Sequence, residues 1–229
     1  MTWSKNTSPL IGNDVVDLTL PNTRNKGDDQ RFIDRVCAPV EQELLSQSDN
    51  ATLTLWCLWS AKETAYKIVL KRDVNTLFAK KKFVVEAPIS FNDSGLFQGT
   101  VQYEDMTMPV QWSRTEHYLH CTGGWPQDEI ALSDVETSVL LEDDPKLNEV
   151  ELTQNELASV RNDTSKSARQ LAKHLMMERG FKNVEIIRQQ MDGYMKAPRI
   201  WINGEQLKES TLSLSHHGQF VAAAVWVAD

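Results

Sequence analysis

The run from Leu53 to Leu70 holds no glycine and no proline and is mostly apolar, long enough for about five turns of helix. Leu58, Ala61, Ala65, Ile68 and Val69 recur at helical spacing, so the run reads as one helix buried along a stripe. A chain that must bury such a helix has to build its core around it. Lys62, Glu63 and Lys67 are the only charges before Lys71. Glu63 and Lys67 stand four apart on the face of Trp59, and Lys62 lies beside Tyr66 one step round. Charges in so apolar a setting need water or a partner. Two readings fit. One is an ordinary helix ion pair, contributing about 0.2–0.5 kcal/mol on a solvated face. The other is a carboxylate aimed at a metal, flanked by two ammonium groups aimed at phosphates.

Upstream, Leu10–Leu18 reads as a short strand with a polar interruption. Gly12 lets the backbone approach a neighbour closely, and Asn13-Asp14 puts a carboxylate where a buried strand prefers valine. Asp14 and Asp17 fit either a strand-end turn with local hydrogen bonds or a site. A polar loop, Pro21–Asp29, leads into Arg31–Ser46, two short helices meeting at Pro39. Beyond the central helix the apolar pattern becomes alternating. Lys82–Glu86, Phe97–Tyr103 and Val110–Cys121 read as strands, with Asn92-Asp93-Ser94-Gly95 as a turn. Gly123-Gly124, Pro126 and an acidic segment then interrupt the pattern and divide the chain into 1–125 and 126–229. The second part repeats the order of helix and strands: Thr164–Arg179 is helical with Gly180 as its stop, and Lys182–Arg188 and Arg199–Ile202 are strand-like. Leu212–His216 and Phe220–Val227 form a hairpin around Gly218, the last strand apolar enough to be buried on both faces. The expected class is α+β.

The net charge of −8 excludes general nucleic-acid binding through the surface. The charge is uneven. Lys62–Lys82 carries seven basic residues against Glu63 and Asp73, whereas Asp128–Glu151 carries nine acidic residues against Lys146. A basic band on an acidic protein fits a focused anionic ligand or an acidic partner, and also a solvated helix end. Cys37, Cys57 and Cys121 are widely spaced with no CxxC, which fits free thiols in a reducing cytosol. The start, MTWSKNTSPL, has no apolar core of a signal peptide, and the longest apolar run, Phe220–Ala228, is far short of the roughly 20 residues that span a bilayer. A cytoplasmic protein without membrane attachment is expected. HExxH, GxxxxGK[ST], GxSxG and GxGxxG are absent, and His117 and His120 have no metal-type partners nearby in sequence. His216 and His217 at a strand end fit a structural role as readily as a site.

The order of motifs narrows the choice. Ile11-Gly12-Asn13-Asp14 is followed, 49 residues on from Asp14 to Glu63, by the motif Trp59-Ser60-Ala61-Lys62-Glu63-Thr64-Ala65-Tyr66-Lys67, and finally by Ser213-Leu214-Ser215-His216-His217-Gly218. The set resembles the 4′-phosphopantetheinyl transferase superfamily, whose motifs look like G-x-D and W/F-(S/A)-x-K-E-(A/S)-x-x-K. Arg31-Phe32, Arg35-Val36 and Pro39-x-Glu41-Gln42 are similar to the intervening segment of its holo-acyl-carrier-protein synthase branch. Two departures stand out. The Gly-x-Asp motif opens the chain, whereas longer members carry it in their second half, and Val16 stands where they carry a second acid.

The resemblance implies two similar helix-plus-sheet halves about a pseudo-two-fold axis, a site in the cleft between them, and a monomer (a pseudo-dimer). It implies Mg²⁺-dependent transfer of phosphopantetheine from coenzyme A to a serine of an apo acyl, polyketide or peptidyl carrier protein, in fatty-acid or polyketide assembly for example, releasing 3′,5′-ADP. Asp14 and Glu63 then hold the metal, and Glu63 and Lys67 are catalytic. Lys62 and Lys67 meet phosphates, Lys196 in Met195-Lys196-Ala197-Pro198 reaches the adenine ribose phosphates, and Ser215 with a protonated His216 contacts a coenzyme A phosphate. The basic band from Lys71 to Lys82 meets the acidic carrier. A non-catalytic carrier- or nucleotide-binding module and a Mg²⁺-dependent nucleotide diphosphate hydrolase are the alternatives.

Overall fold

A computed structural model describes residues 9–86, 96–128, 130–160, 162–191 and 194–228. The expected turn at Asn92–Gly95 and the start of the chain through Ser8 lie outside the described residues. The amino-terminal part runs β1 (Ile11–Asp17), α1 (Gln30–Val36), α2 (Pro39–Ser46), α3 (Ala51–Arg72), β2 (Val84–Glu86), β3 (Leu96–Tyr103), β4 (Met106–Arg114) and β5 (Tyr118–Gly124). The carboxy-terminal part runs β6 (Glu136–Leu141), α4 (Pro145–Asn148), α5 (Gln154–Leu157), α6 (Asp163–Glu178) and β7 (Val184–Ile187). It ends in β8 (Gln190–Met191), β9 (Tyr194–Met195), β10 (Arg199–Ile202), β11 (Glu205–Gln206), β12 (Ser210–His217) and β13 (Phe220–Val227). Every strand pairing is antiparallel. One sheet has the order β1-β5-β4-β3-β2; another is β12-β13-β6, and a third is β11-β10-β7.

α3 is capped at its start by Asn50, whose side chain accepts from the Leu53 amide, and ends with Lys71 and Arg72, which suit the carbonyl end of the dipole. It lies across β1 and β5 because glycines clear its path. A Cβ on Gly12 would collide with the Thr64 carbonyl oxygen, and one on Gly123 would sit 2.9 Å from Val110 and 3.1 Å from Thr64 side-chain carbons. Gly123 and Gly124, expected as a break, are instead the last residues of β5, paired with Gly12 and Ile11.

β1 is buried along its whole length and serves two cores. Its alternation decides which. Gly12, Asp14 and Val16 face α3, whereas Ile11 packs on Ala224 and Trp226, and Val15 on Phe220 and Ala222. The large clusters divide likewise: one runs from Leu10 to Trp125 around α3, the other from Leu147 to Val227 around α6. β13 is central in its sheet, with Val221, Ala223 and Val225 under α6 and Phe220, Ala222 and Ala224 toward β1, so its unbroken apolar run is buried on both sides.

Three sequence expectations need correction. Val110–Cys121 is not one strand but the end of β4 and the start of β5, because the Thr115 hydroxyl accepts from the amides of His117 and Tyr118 and turns the chain. Lys80–Lys82 forms a 3-10 turn, which leaves only Val84–Glu86 as strand. The acidic segment, to which the sequence assigned no element, contributes β6 and the short helix α4, and α5 follows it. All three cysteines are buried and free, and no helix among the described residues is long and apolar enough to cross a membrane.

Candidate active site

β1 and α3 bring together the acids that sequence singled out. Asp14 lies on the α3 face of β1 with its side chain only 12% exposed, and Lys67 reaches it at 3.0 Å while donating to the Asn13 carbonyl at 2.8 Å. Glu63, one turn back on α3, feels Asp14 directly: burial first, and then the charge of Asp14, raise its carboxyl to about 7, with Lys67 and Lys80 pulling the other way. Burial also raises Asp14, against the pull of Lys67. Both carboxyls are thus held above their ordinary range, with Lys67 opposing the shift at each.

β12 forms the opposite wall. Two cavities of about 350 and 360 Å³ flank Lys67, both touching Arg188 and Leu214. The first includes Lys71, Lys196 and Pro198; the second includes Arg169, Ser165, Ser215 and His216. Among the described residues their walls carry Lys67, Lys71, Arg169, Arg188 and Lys196 and no acid, a lining suited to an anion. The residues that sequence missed are Arg169 and Arg188, which no motif marks. A larger cavity of about 740 Å³, around Lys173, Phe181 and Glu185, touches none of the candidate site residues.

Several assignments change. Lys62 does not face this space: its side chain is wholly buried, 2.7 Å from Glu41, and it also donates to the carbonyls of Lys80 and Phe83. A buried ammonium so engaged is a structural pin. Lys71, expected on the carrier surface, donates to the carbonyls of Ile11 and Leu212 and joins β1 to β12. Burial, with Arg199, Lys67 and Arg188 nearby, lowers it to about 7. His216 is not primed to be charged, since burial and Lys67 lower its pKa. The Ser215 hydroxyl accepts from the Asn13 amide group at 3.1 Å. Asp17 is explained by structure: it accepts from the Thr19 amide and hydroxyl and from the Gln219 amide.

Asp14 and Glu63 offer oxygen donors alone, the preference of Mg²⁺, and two like charges confined together gain from a shared cation. Among the described residues no group of three or more His, Cys, Asp or Glu side chains could hold a metal, so water and substrate would complete the shell. No curated protein matches the chain. The 4′-phosphopantetheinyl transferase superfamily model matches residues 10–126, from just before β1 to just after β5, which takes in the acid pair and α3. With the acids, the lysine and more than half of the sequence in that pattern, the chain belongs to the 4′-phosphopantetheinyl transferase superfamily.

Proposed function

We propose that the protein transfers phosphopantetheine from coenzyme A to a serine of an apo carrier protein, in a cleft between two halves related by a pseudo-two-fold axis. The observation that carries this reading is the acid pair Asp14–Glu63 beside Lys67, a lysine that also lines two cavities with Arg188. The repeat of strand, short helices, long helix and strands supports the two halves.

In this reading Lys67, Lys196, Arg188 and the Ser215-His216 pair bind the phosphates of coenzyme A. Lys67 neutralises charge on the pyrophosphate, and its bond to Asp14 sets its position. Asp14 and Glu63 would hold Mg²⁺, which supplies positive charge to the pyrophosphate and to the 3′,5′-ADP leaving group. The serine oxygen attacks the phosphorus on the pantetheine side, and the bond to 3′,5′-ADP breaks. Glu63, directly or through a water, takes the serine proton. The carrier meets the aromatic and basic face where Lys80 lies 4.5 Å from the Phe78 ring centre and 5.5 Å from that of Trp59, beside exposed Lys81 and Lys82.

Intact mass of apo carrier proteins incubated with coenzyme A and Mg²⁺ tests the reading. A phosphopantetheine increment on a carrier serine is expected. Release of 3′,5′-ADP without a carrier would favour a hydrolase, and no turnover with a panel of carriers would favour a binding module.

A further inference from the structure

We propose that Asn13 is a positioning residue that holds Ser215 and His216, on one wall of the cleft, in register with Asp14 and Lys67 on the other. The inference rests on the reading above in taking Ser215 and His216 as ligand-binding groups. Asn13 is fully buried on β1, in contact with β5, α3 and β12. Its amide donates to the Ser213 hydroxyl at 3.0 Å. Its side-chain nitrogen donates to the Ser215 hydroxyl and lies 3.1 Å from His120 Nε2, while its carbonyl accepts from Lys67 at 2.8 Å. His120 is held neutral, since burial lowers it to about 3, so the contact with Asn13 is between uncharged groups.

Fold stability alone does not call for asparagine here. Ile11 and Val15, its neighbours on the same face, pack on apolar residues of β13, whereas Asn13 meets the polar atoms Ser215 Oγ and His120 Nε2. Asn13 Oδ1 has no hydrogen-bond partner among the described residues, and an unsatisfied buried acceptor is destabilising. What the amide provides is register. Apolar contacts tolerate sliding of β1 along β12; a donor fixed between Ser213 and Ser215 does not. Asp17 forms a second lock, donating its amide to His217 Nδ1 and accepting from Gln219, but it sits at the hairpin end and touches neither Lys67 nor Ser215.

Asn13→Ala keeps the backbone carbonyl, so Lys67 stays on Asp14 and the acid pair is intact. The ties to Ser215 and to His120 are lost. KM for coenzyme A should rise about tenfold, the scale of a lost buried hydrogen bond, with kcat little changed. Ser215→Ala should be non-additive with it. The control is Asp17→Asn, which should lower Tm without raising KM. The His216 ring signal in NMR should shift in Asn13→Ala and not in Asp17→Asn, a readout independent of turnover. If Asn13→Ala does not fold, Asn13→Val, a better strand former, is read the same way. An unchanged KM and an unmoved His216 signal would overturn the proposal, as would an equal KM rise in Asp17→Asn, which would mean general loosening. If the wild type transfers nothing to any carrier, the transferase reading fails, and the His216 signal alone decides whether Asn13 positions that wall.

Discussion

The two parts of the chain solve one structural problem in the same way and differ where chemistry is needed. In each, a glutamate at the third position of a short helix sits at the centre of a buried pin. Glu41 accepts from the Ala38 amide at 2.7 Å, from the Val85 amide at 2.8 Å and from Lys62 at 2.7 Å. Glu156 accepts from the Thr153 amide at 2.8 Å, from the Ile186 amide at 2.8 Å and from Lys173 at 2.9 Å. Each pin ties a short helix, a long helix and the strand that follows it. One residue beyond the pinning lysine, the helices diverge. α3 carries Glu63 and, four on, Lys67; α6 carries His174 and, four on, Glu178, a surface pair 3.4 Å apart. β1 aims Asp14 at its helix, whereas the acid of β6, Glu136, is paired with Arg179 at the helix end. The pin is therefore a device of the fold, present with and without an acid pair beside it. This is why Lys62, although adjacent to Glu63, belongs with Lys173 and not with Lys67.

The comparison breaks most sharply at the pins. Removing one partner of a buried pair leaves the other charge uncompensated, at a cost of about 3–5 kcal/mol, a large share of the roughly 5–15 kcal/mol that keeps a domain folded. Lys62→Met and Lys173→Met should therefore lower stability by similar amounts in denaturant titrations. Glu41→Leu combined with Lys62→Met should recover part of the loss. If Lys62→Met instead keeps its stability and only raises KM for coenzyme A, the equivalence of the two lysines is wrong.

The acid pair is where the two parts should differ. Asp14→Asn and Glu63→Gln should fold normally and lose turnover by about 10²–10⁴-fold, the range for a general acid–base group. The matching change in the other part, His174→Gln, should leave turnover unaltered. A near-parental rate for either acid variant at limiting Mg²⁺ would remove that residue from the site.

Much of this was legible in the sequence, for identifiable reasons. α3 and β13 announce themselves because their apolar residues follow one period without interruption. Asp14 and Glu63 stand out because an acid in an apolar strand or helix needs a reason. The partner of Lys62 was not legible: Glu41 lies 21 residues away, and only tertiary packing brings it in. Nor were Arg169 and Arg188, which sit in stretches of ordinary surface composition. β6 was hidden because it is an edge strand that starts Glu136-Thr137-Ser138, polar enough to read as loop.

The raised carboxyl of Glu63 makes the comparison visible in stability as well as rate. Its folded value, about 7, exceeds its ordinary 4.5, so between those pH values the folded state holds a proton that the unfolded state has released. Stability should then fall as pH rises from about 4.5 to about 7 and stay reduced above that range. Glu63→Gln removes this dependence and should raise Tm at pH 8 with chelator present by about 2–4 °C for each kcal/mol relieved. Equal Tm values for parent and variant across the range would mean that the acid pair carries no repulsion. Added Mg²⁺ should narrow the gap by raising the parent alone.

The smallest effect concerns the surface beside α3, which has no counterpart in the basic lining of the cleft. Lys81 and Lys82 are exposed, and Lys80 lies over Trp59 and Phe78 on the side of α3 that carries Glu63. α1, with Arg31 and Arg35, packs against the same turn. An acidic carrier can approach a protein of net charge −8 well only through such a local patch. Reversing Lys80, Lys81 and Lys82 to glutamate should raise KM for the carrier several-fold and leave KM for coenzyme A nearly unchanged, because none of the three lines the two cavities around Lys67 proposed to bind it. The turn itself should persist, since Lys62 binds the Lys80 carbonyl and not its side chain. Salt should weaken carrier use in the parent and do so less in the variant, as exposed charges are screened over about 8–10 Å at ordinary ionic strength. A carrier KM unmoved by the triple reversal would shift docking to the half-buried rings of Trp59 and Phe32, which Trp59→Ala would then reveal.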